Sequence, residues 1–327
     1  MSERSRDVLV LIPVYNDWQA LKLLLKRLDD VAAGSVLFKI LIVDDGSTLV
    51  EQAHLCSDAW RGFSEIAILR LRRNLGHQRA ISVGLVHAYN TYPEHVTVIM
   101  DGDGEDRPED IPTLLMKYHE EREEKIIFAA RSRRTESLLF KAFYLIYKAL
   151  HWALTGISVR VGNFSAVPYS CLSSLVAVSE IWNHYAAAVL NARIPHASIA
   201  APRGERLAGR SHMNFVAFVT HGLSAISVYS ERVGTRLLLV SVTIISLLFI
   251  AIVVTFGIRL HTALAISGWA TYVIGLLLVL LLQVCAMSFG FVFVVLNGRS
   301  NTLFIPIRDC PYFIERVTRI WPPAESA

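Results

Sequence analysis

The sequence predicts an α/β protein: a mainly parallel sheet in the first two thirds, then interfacial helices and a two-helix apolar hairpin. Three observations predict it. Short β-branched and apolar runs alternate with helical patterns up to about residue 210. A polar cluster follows the end of each run, so the clusters gather on one edge of the sheet. Beyond them lie two nearly uncharged apolar runs, residues 237–258 and 269–296.

Residues 7–13 read as the first strand, broken by Pro13-Val14-Tyr15-Asn16-Asp17 into an amphipathic helix with Leu21, Leu24, Leu25 and Leu28 on one face. A second strand over 38–43 ends in Asp44-Asp45-Gly46-Ser47-Thr48. A third over 66–71 ends in Arg72-Arg73-Asn74-Leu75-Gly76-His77-Gln78-Arg79-Ala80 and runs into a helix over 78–92. The fourth, Val96-Thr97-Val98-Ile99-Met100, stops at Asp101-Gly102-Asp103-Gly104-Glu105-Asp106, and a helix begins near Pro108. A fifth strand covers 126–130.

Open α/β sheets bind ligands at the C-terminal ends of their strands. Asp101 and Asp103 are spaced to share one hard cation, Mg2+ or Mn2+, and Gly102 and Gly104 admit a close phosphate. Asp44 and Asp45 offer acceptors to a nucleobase or ribose, while Asn74, Gly76 and Arg79 stand where a helix start meets phosphate. Each cluster also reads as an ordinary turn or cap; three on one edge favour a site. Neither G-x-G-x-x-G after the first strand nor G-x-x-x-x-G-K-[ST] is present, so the nucleotide site is of another kind.

Composition sets the setting. In 327 residues, 53% are hydrophobic and 18% charged, too apolar for a wholly water-soluble chain. A 22-residue run spans about 33 Å as a helix, enough for a hydrocarbon core of roughly 30 Å. Arg232, Arg236, Arg299 and Arg308 flank the pair outside, and the connecting loop has Arg259 and His261. The positive-inside rule therefore predicts a multi-pass membrane protein with two spans and both termini cytoplasmic. The expected divisions are a catalytic domain over 1–210, an interfacial amphipathic helix over 211–235, a hairpin over 236–298 and a tail over 299–327. Residues 311–317 read as a return helix under the membrane. No secretory signal is expected. Cys56, Cys171, Cys285 and Cys310 lack metal-ligand spacing. The net charge of +4, without a basic and aromatic stripe, excludes nucleic acid as partner and fits an anionic lipid bilayer.

The order IPVYND (12–17), VDDGST (43–48), NLGHQRA (74–80) and DGDGEDRPED (101–110), followed by a hairpin, resembles the inverting nucleotide-sugar glycosyltransferases with a Rossmann-like, A-type fold. With Gly209-Arg210-Ser211-His212 it is most similar to the branch that transfers a sugar to polyprenyl or dolichyl phosphate. The resemblance implies that Pro13, Tyr15 and Asp45 line the nucleoside pocket, that the Asp101 and Asp103 pair binds Mg2+ or Mn2+ on the diphosphate, and that Arg210 meets phosphate. Arg131, Arg203 and Arg206 are expected to neutralise donor and acceptor phosphates. Arg133, Arg134 and Lys141 serve either that purpose or lipid headgroups.

Three positions depart from the family pattern. Glu105 stands for the usual Gln, His212 for the usual Lys, and Val161-Gly162-Asn163-Phe164-Ser165 for a Gly-Asp-Phe-Arg-like element. Loss of that carboxylate is awkward for a hydroxyl acceptor, which needs a general base. It is tolerable for a phosphate monoester, already largely ionised at pH 7 with a second pKa of about 6. Glu180 is the remaining candidate base, or a surface carboxylate. The apolar stretches 138–154 and 215–229 suit an interface or a core. A nucleotide-sugar donor, UDP-sugar first, and a polyprenyl-phosphate acceptor are the expected partners, with a homo-oligomer as a further possibility. A hydroxyl-acceptor transferase, a processive polysaccharide synthase (lacking here its Q-x-x-R-W element) and a non-catalytic membrane scaffold stay open.

Overall fold

The structure, a computed structural model, describes residues 7–33, 37–48, 59–131, 138–157, 161–209, 215–261, 268–300 and 304–322. The chain divides into two compact units, residues 1–138 with 159–228 and 303–327, and residues 139–158 with 229–302.

The first unit is built on β1 (Val8–Val14), whose seven residues are all buried. A strand apolar on both faces must be covered on both, which is why it sits mid-sheet. It pairs in parallel with β2 (Phe38–Asp44) on one side and β4 (Val96–Ile99) on the other. β3 (Phe63–Leu71) extends the sheet beyond β2. The chain thus steps outward from β1 to β3 and then returns to β1's other flank, which makes the gap between β1 and β4 the topological switch point. Beyond β4 lie β6 (Ser165–Val167), antiparallel to both neighbours, then β5 (Ile126–Arg131) and β7 (His196–Ala201), mutually parallel.

Alternation of side chains across the strands creates two cores. Leu9, Leu11, Leu41 and Val43 face helix α2 (His77–Thr91) through its Ile81, Leu85 and Ala88. Val8, Val10, Ile12, Ile40 and Ile42 face α1 (Trp18–Ala32) through Leu21, Leu24, Leu25 and Leu28, and α3 (Ile111–Glu120) through Ile111, Leu114 and Tyr118. The expected α1 stripe is therefore the buried one. A 3-10 turn at Pro108–Asp110 precedes α3.

The tail departs from expectation. Residues 311–317 are not a return helix: a 3-10 turn at Cys310–Phe313 leads into strand β8 (Ile314–Trp321), antiparallel to β3. β3 would otherwise be an open edge with unpaired backbone groups, and the β-branched and aromatic residues Val317, Thr318, Ile320 and Trp321 suit a strand that closes it. Trp321 donates from its indole to the Phe63 carbonyl at 3.2 Å, and the Arg72 amide donates to the Phe313 carbonyl at 2.9 Å.

Helices α5 (Tyr169–Leu175), α6 (Tyr185–Asn191) and α7 (Phe215–Ser227) belong to the first unit. In the second, α4 (Leu138–Thr155) accompanies two helices of 32 residues each, α8 (Ser230–His261) and α9 (Trp269–Ser300), which pack on one another. Both are long and apolar enough to cross a membrane, and their most apolar windows are 6% and 0% buried. Arg236 caps the C-terminal carbonyls of α4, donating to Trp152 and Ala153 at 3.2 and 2.8 Å.

Candidate active site

The three polar loops predicted to share an edge do so, and hydrogen bonds knit them together. After β1, Asn16 adopts a left-handed φ of 54° and reaches across to the β2 loop. Its amide donates to Ser47 Oγ at 2.9 Å, and its side-chain oxygen accepts from the Thr48 amide at 2.9 Å. After β2, Asp44 is fully buried and accepts from the Ser47 amide at 2.8 Å. Asp45 places one oxygen 2.7 Å from the Leu75 amide and the other 2.9 Å from the Gly76 amide. Gly46, at φ 70°, passes so close to the Arg73–Asn74 backbone that a Cβ would lie 2.7 Å from it. Burial, the largest influence, raises the Asp45 pKa against those two amides. Asp44 therefore fixes its own loop, whereas Asp45 acts on the β3–α2 loop, setting the height at which α2 starts. Pro13 lies buried in β1, whereas Tyr15 is exposed beside it.

Arg79, from the first turn of α2, stacks its guanidinium 5.3 Å from the ring centre of Trp182, in a cluster with Phe304 and Phe313. Gly76 precedes that helix at φ 94° without a side-chain cap, and its carbonyl accepts from the Arg79 and Ala80 amides, both at 3.0 Å.

His77, which the sequence reading passed over, touches that turn. Its Nε2 lies 3.2 Å from Asp101 Oδ1 and 3.0 Å from Asn163 Nδ2. Asn163 in turn accepts from Gln78 at 3.1 Å, and Gln78 accepts from the Tyr185 amide at 2.8 Å. Asn163, the departure from the family element, thus lies one residue away from Asp101 in a contiguous network. Burial favours a neutral His77, but the carboxylates of Asp101, Asp106 and Asp103 outweigh it and raise its pKa.

The acidic turn is folded on itself and clamped from one side. Asp106, 2% exposed, accepts from the Asp101 amide at 2.8 Å; Asp103 accepts from the Glu105 amide at 3.0 Å. Segment 203–208, after β7, lies along it: the Gly204 amide donates to the Glu105 carbonyl and the Leu207 amide to the Asp103 carbonyl, both at 2.9 Å. Gly104, at φ 87°, faces Leu207 where a Cβ would stand 2.4 Å from that side chain. Arg203 pairs with Glu105. Arg206 bridges Asp103 at 3.1 Å and Asp17, whose place before α1 gives it the look of an ordinary helix cap. Burial first, then the charge of Asp101, raises the Asp103 pKa, and Arg206 only partly offsets them.

That electrostatic arrangement bears on a cation. Among the described residues no three His, Cys, Asp or Glu side chains form a ready cage. Asp101 and Asp103 are hard oxygen donors, mutually repelling, at the switch point. They suit a divalent ion that completes its shell with phosphate oxygens and water.

Of the other predicted residues, Glu180 lies half-buried in the 3-10 turn Ser179–Trp182. Arg131 ends β5, but its side chain falls outside the described residues, as do Arg133, Arg134, Arg210, His212 and the side chain of Lys141.

Comparison with known proteins gives this edge its family. Residues 9–171 match the model for Glycosyl transferase family 2. Among curated relatives, the undecaprenyl-phosphate 4-deoxy-4-formamido-L-arabinose transferase of Erwinia tasmaniensis is 37% identical over 117 residues, 35% of each chain. That of Photorhabdus laumondii is 31% identical over 160 residues, 48% of this chain and 47% of the relative. The matched stretches thus span about half the length of these relatives or less. An uncharacterized glycosyltransferase of Bacillus subtilis is 22% identical over 274 residues, 81% of both chains. Among solved structures, mannosyl-3-phosphoglycerate synthase from Rubrobacter xylanophilus superposes with a TM-score of 0.49 at 13% identity, covering 70% of this chain and 74% of that one. Residues 9–171 are therefore a glycosyltransferase family 2 domain.

Proposed function

We infer that the protein is a membrane-bound inverting glycosyltransferase that moves a sugar from a nucleotide-diphosphate sugar, UDP-sugar first, to a polyprenyl phosphate. The observation that carries the reading is the coincidence of Asp101, Asp103, the start of α2 and Arg206 at the β1/β4 switch point, in a chain that also carries α8 and α9. The curated relatives named above act on undecaprenyl phosphate by their names, which supports the acceptor class.

Asp101 and Asp103 would hold Mg2+ or Mn2+, which supplies charge stabilisation to the departing diphosphate. The rest falls to the chain. Asp45 fixes the β3–α2 loop and Asp44 the β2 loop beside it, and Pro13 with Tyr15 borders the nucleoside side. Arg203 and Arg206, with Arg131 and Arg210, provide planar forks for phosphate oxygens. A phosphate-monoester oxygen attacks the anomeric carbon in line, the bond from that carbon to the diphosphate oxygen breaks, and the electron pair leaves with the diphosphate. One displacement inverts the centre. No proton has to move, which accords with an amide, Asn163, standing one residue from Asp101, through His77, where a base would otherwise be wanted. The positive flanks of α8 and α9 support a catalytic domain and both termini in the cytoplasm.

Membranes containing the protein are incubated with labelled nucleotide sugars and a short polyprenyl phosphate, then extracted with organic solvent. Label that enters the lipid phase only when the polyprenyl phosphate is present supports the reading. Label in a polymer, or in a hydroxyl acceptor without any lipid phosphate, overturns it.

A further inference from the structure

Asp17 occupies the residue before α1, where an aspartate ordinarily caps the helix by accepting from an amide of the first turn. It makes no such bond. Its carboxylate turns instead to Arg206, 189 residues away in sequence, and Arg206 is engaged on every edge. Nη2 meets Asp17, Nη1 meets Asp103 at 3.1 Å, and Nε donates to the Ala208 carbonyl at 2.9 Å. All three side chains are about one-fifth exposed, so their charges are partly shielded from water.

The Arg206 guanidinium is thus the positive charge on Asp103 in this structure, and the same Asp103 is half of the carboxylate pair offered to a divalent ion. One carboxylate cannot fully serve both. The backbone bonds from Leu207 to Asp103 and from Gly204 to Glu105 keep segment 203–208 on the turn, and Asp17 holds the far edge of the fork. When Nη1 lets go of Asp103, the fork remains at the turn with its free edge facing the place where a diphosphate would meet the ion.

We propose that Asp17 is a positioning residue of the donor site, holding Arg206 in place as its fork passes from Asp103 to the donor's diphosphate when a divalent ion binds Asp103. This rests on the donor-site reading above. It assigns a role to a residue that contacts neither ion nor donor, and makes Arg206 a competitor of the ion alone and a partner of the ion with nucleotide.

The test uses the full chain in lipid nanodiscs, with Mn2+ binding read by electron paramagnetic resonance and UDP binding at saturating Mn2+ read by calorimetry. Arg206→Gln is expected to tighten Mn2+ alone by about threefold or more and to weaken UDP by about tenfold, since a charge-assisted bond to phosphate is lost. Asp17→Asn is expected to weaken UDP by about tenfold as well, and to have no further effect in the Arg206→Gln background. A mere field effect has the opposite sign: removing a negative charge near an anion site would tighten UDP. UDP binding by Asp17→Asn at or above wild-type strength therefore overturns the proposal, as does additivity of the two substitutions. If Asp17→Asn does not fold, Arg206→Lys decides, because it keeps the charge and loses the fork: a roughly tenfold loss of UDP affinity supports the proposal and an unchanged affinity overturns it. A wild-type protein that binds neither Mn2+ nor UDP would instead refute the donor-site reading itself.

Discussion

β2 and α8 are both apolar, yet one has nearly every side chain buried and the other is mostly exposed. In β2, Ile40, Leu41, Ile42 and Val43 are at 0% exposure; in α8, Leu239, Leu247 and Phe249 are at 62, 61 and 60%. Apolar surface is costly only against water. The strand satisfies that condition with its own chain on both faces, whereas α8 and α9 leave theirs for another solvent, and a helix whose backbone bonds are all internal can meet a bilayer where a sheet edge cannot. The difference separates the two tasks of the molecule. The sheet holds a polar edge in place, and the helices carry the chain's greasy surface.

The sharpest check of that separation is Asp103→Asn. It is expected to lower sugar transfer by about 10²–10³-fold, the scale seen when one electrostatic stabiliser of the departing group is removed. Membrane association, measured by carbonate extraction, is expected to stay as in the wild type. A variant that transfers normally would detach the acidic turn from the reaction, and one that leaves the membrane would make the two regions a single device.

A paired truncation tests the comparison directly. Leu41→Ala, in the core against α2, is expected to destabilise the soluble unit by about 2–5 kcal/mol, because the neighbours cannot fill the space. Leu247→Ala, with the same atoms removed from an exposed site on α8, is expected to change the unfolding midpoint in detergent by much less, since detergent fills the gap. Equal losses would mean that α8 is covered by protein. A smaller effect is expected of Gly46→Ala, where the left-handed φ and the 2.7 Å approach to the Arg73–Asn74 backbone cost about 1–3 kcal/mol. Melting temperature and UDP affinity should fall together, because the β3–α2 loop is displaced.

Much of this edge was legible from the residues themselves. Strands β1 to β5 follow their β-branched runs to within a few residues, and α8 and α9 follow theirs, because local composition decides both. β8 was misread because its reason for being a strand lies more than 200 residues away, on the bare edge of β3. Asp17 was passed over for a similar cause: before a helix it has the look of a cap, and only the fold brings Arg206 to it. His77 gave a weaker hint, lying between a glycine and a helix. Asp45 showed its carboxylate but not that Leu75 and Gly76 would take both oxygens.

The smallest expected effect concerns His77, which joins the rigid sheet edge to the acidic turn. Its pKa is raised in the folded protein, so the fold binds a proton that the unfolded chain releases more readily. The resulting stabilisation is fully present below the unfolded value of about 6.5 and fades as pH rises through the higher folded value. Without divalent ion, the melting temperature of the wild type should therefore decline over that interval, and His77→Gln should flatten the decline. The change will be small, because 43% of the imidazole is open to water, which screens its attraction to Asp101. A slope unaltered in His77→Gln would mean that the carboxylates of the turn stabilise no charge on this ring. Asn163, whose amide points at the same nitrogen, would then be what keeps it neutral.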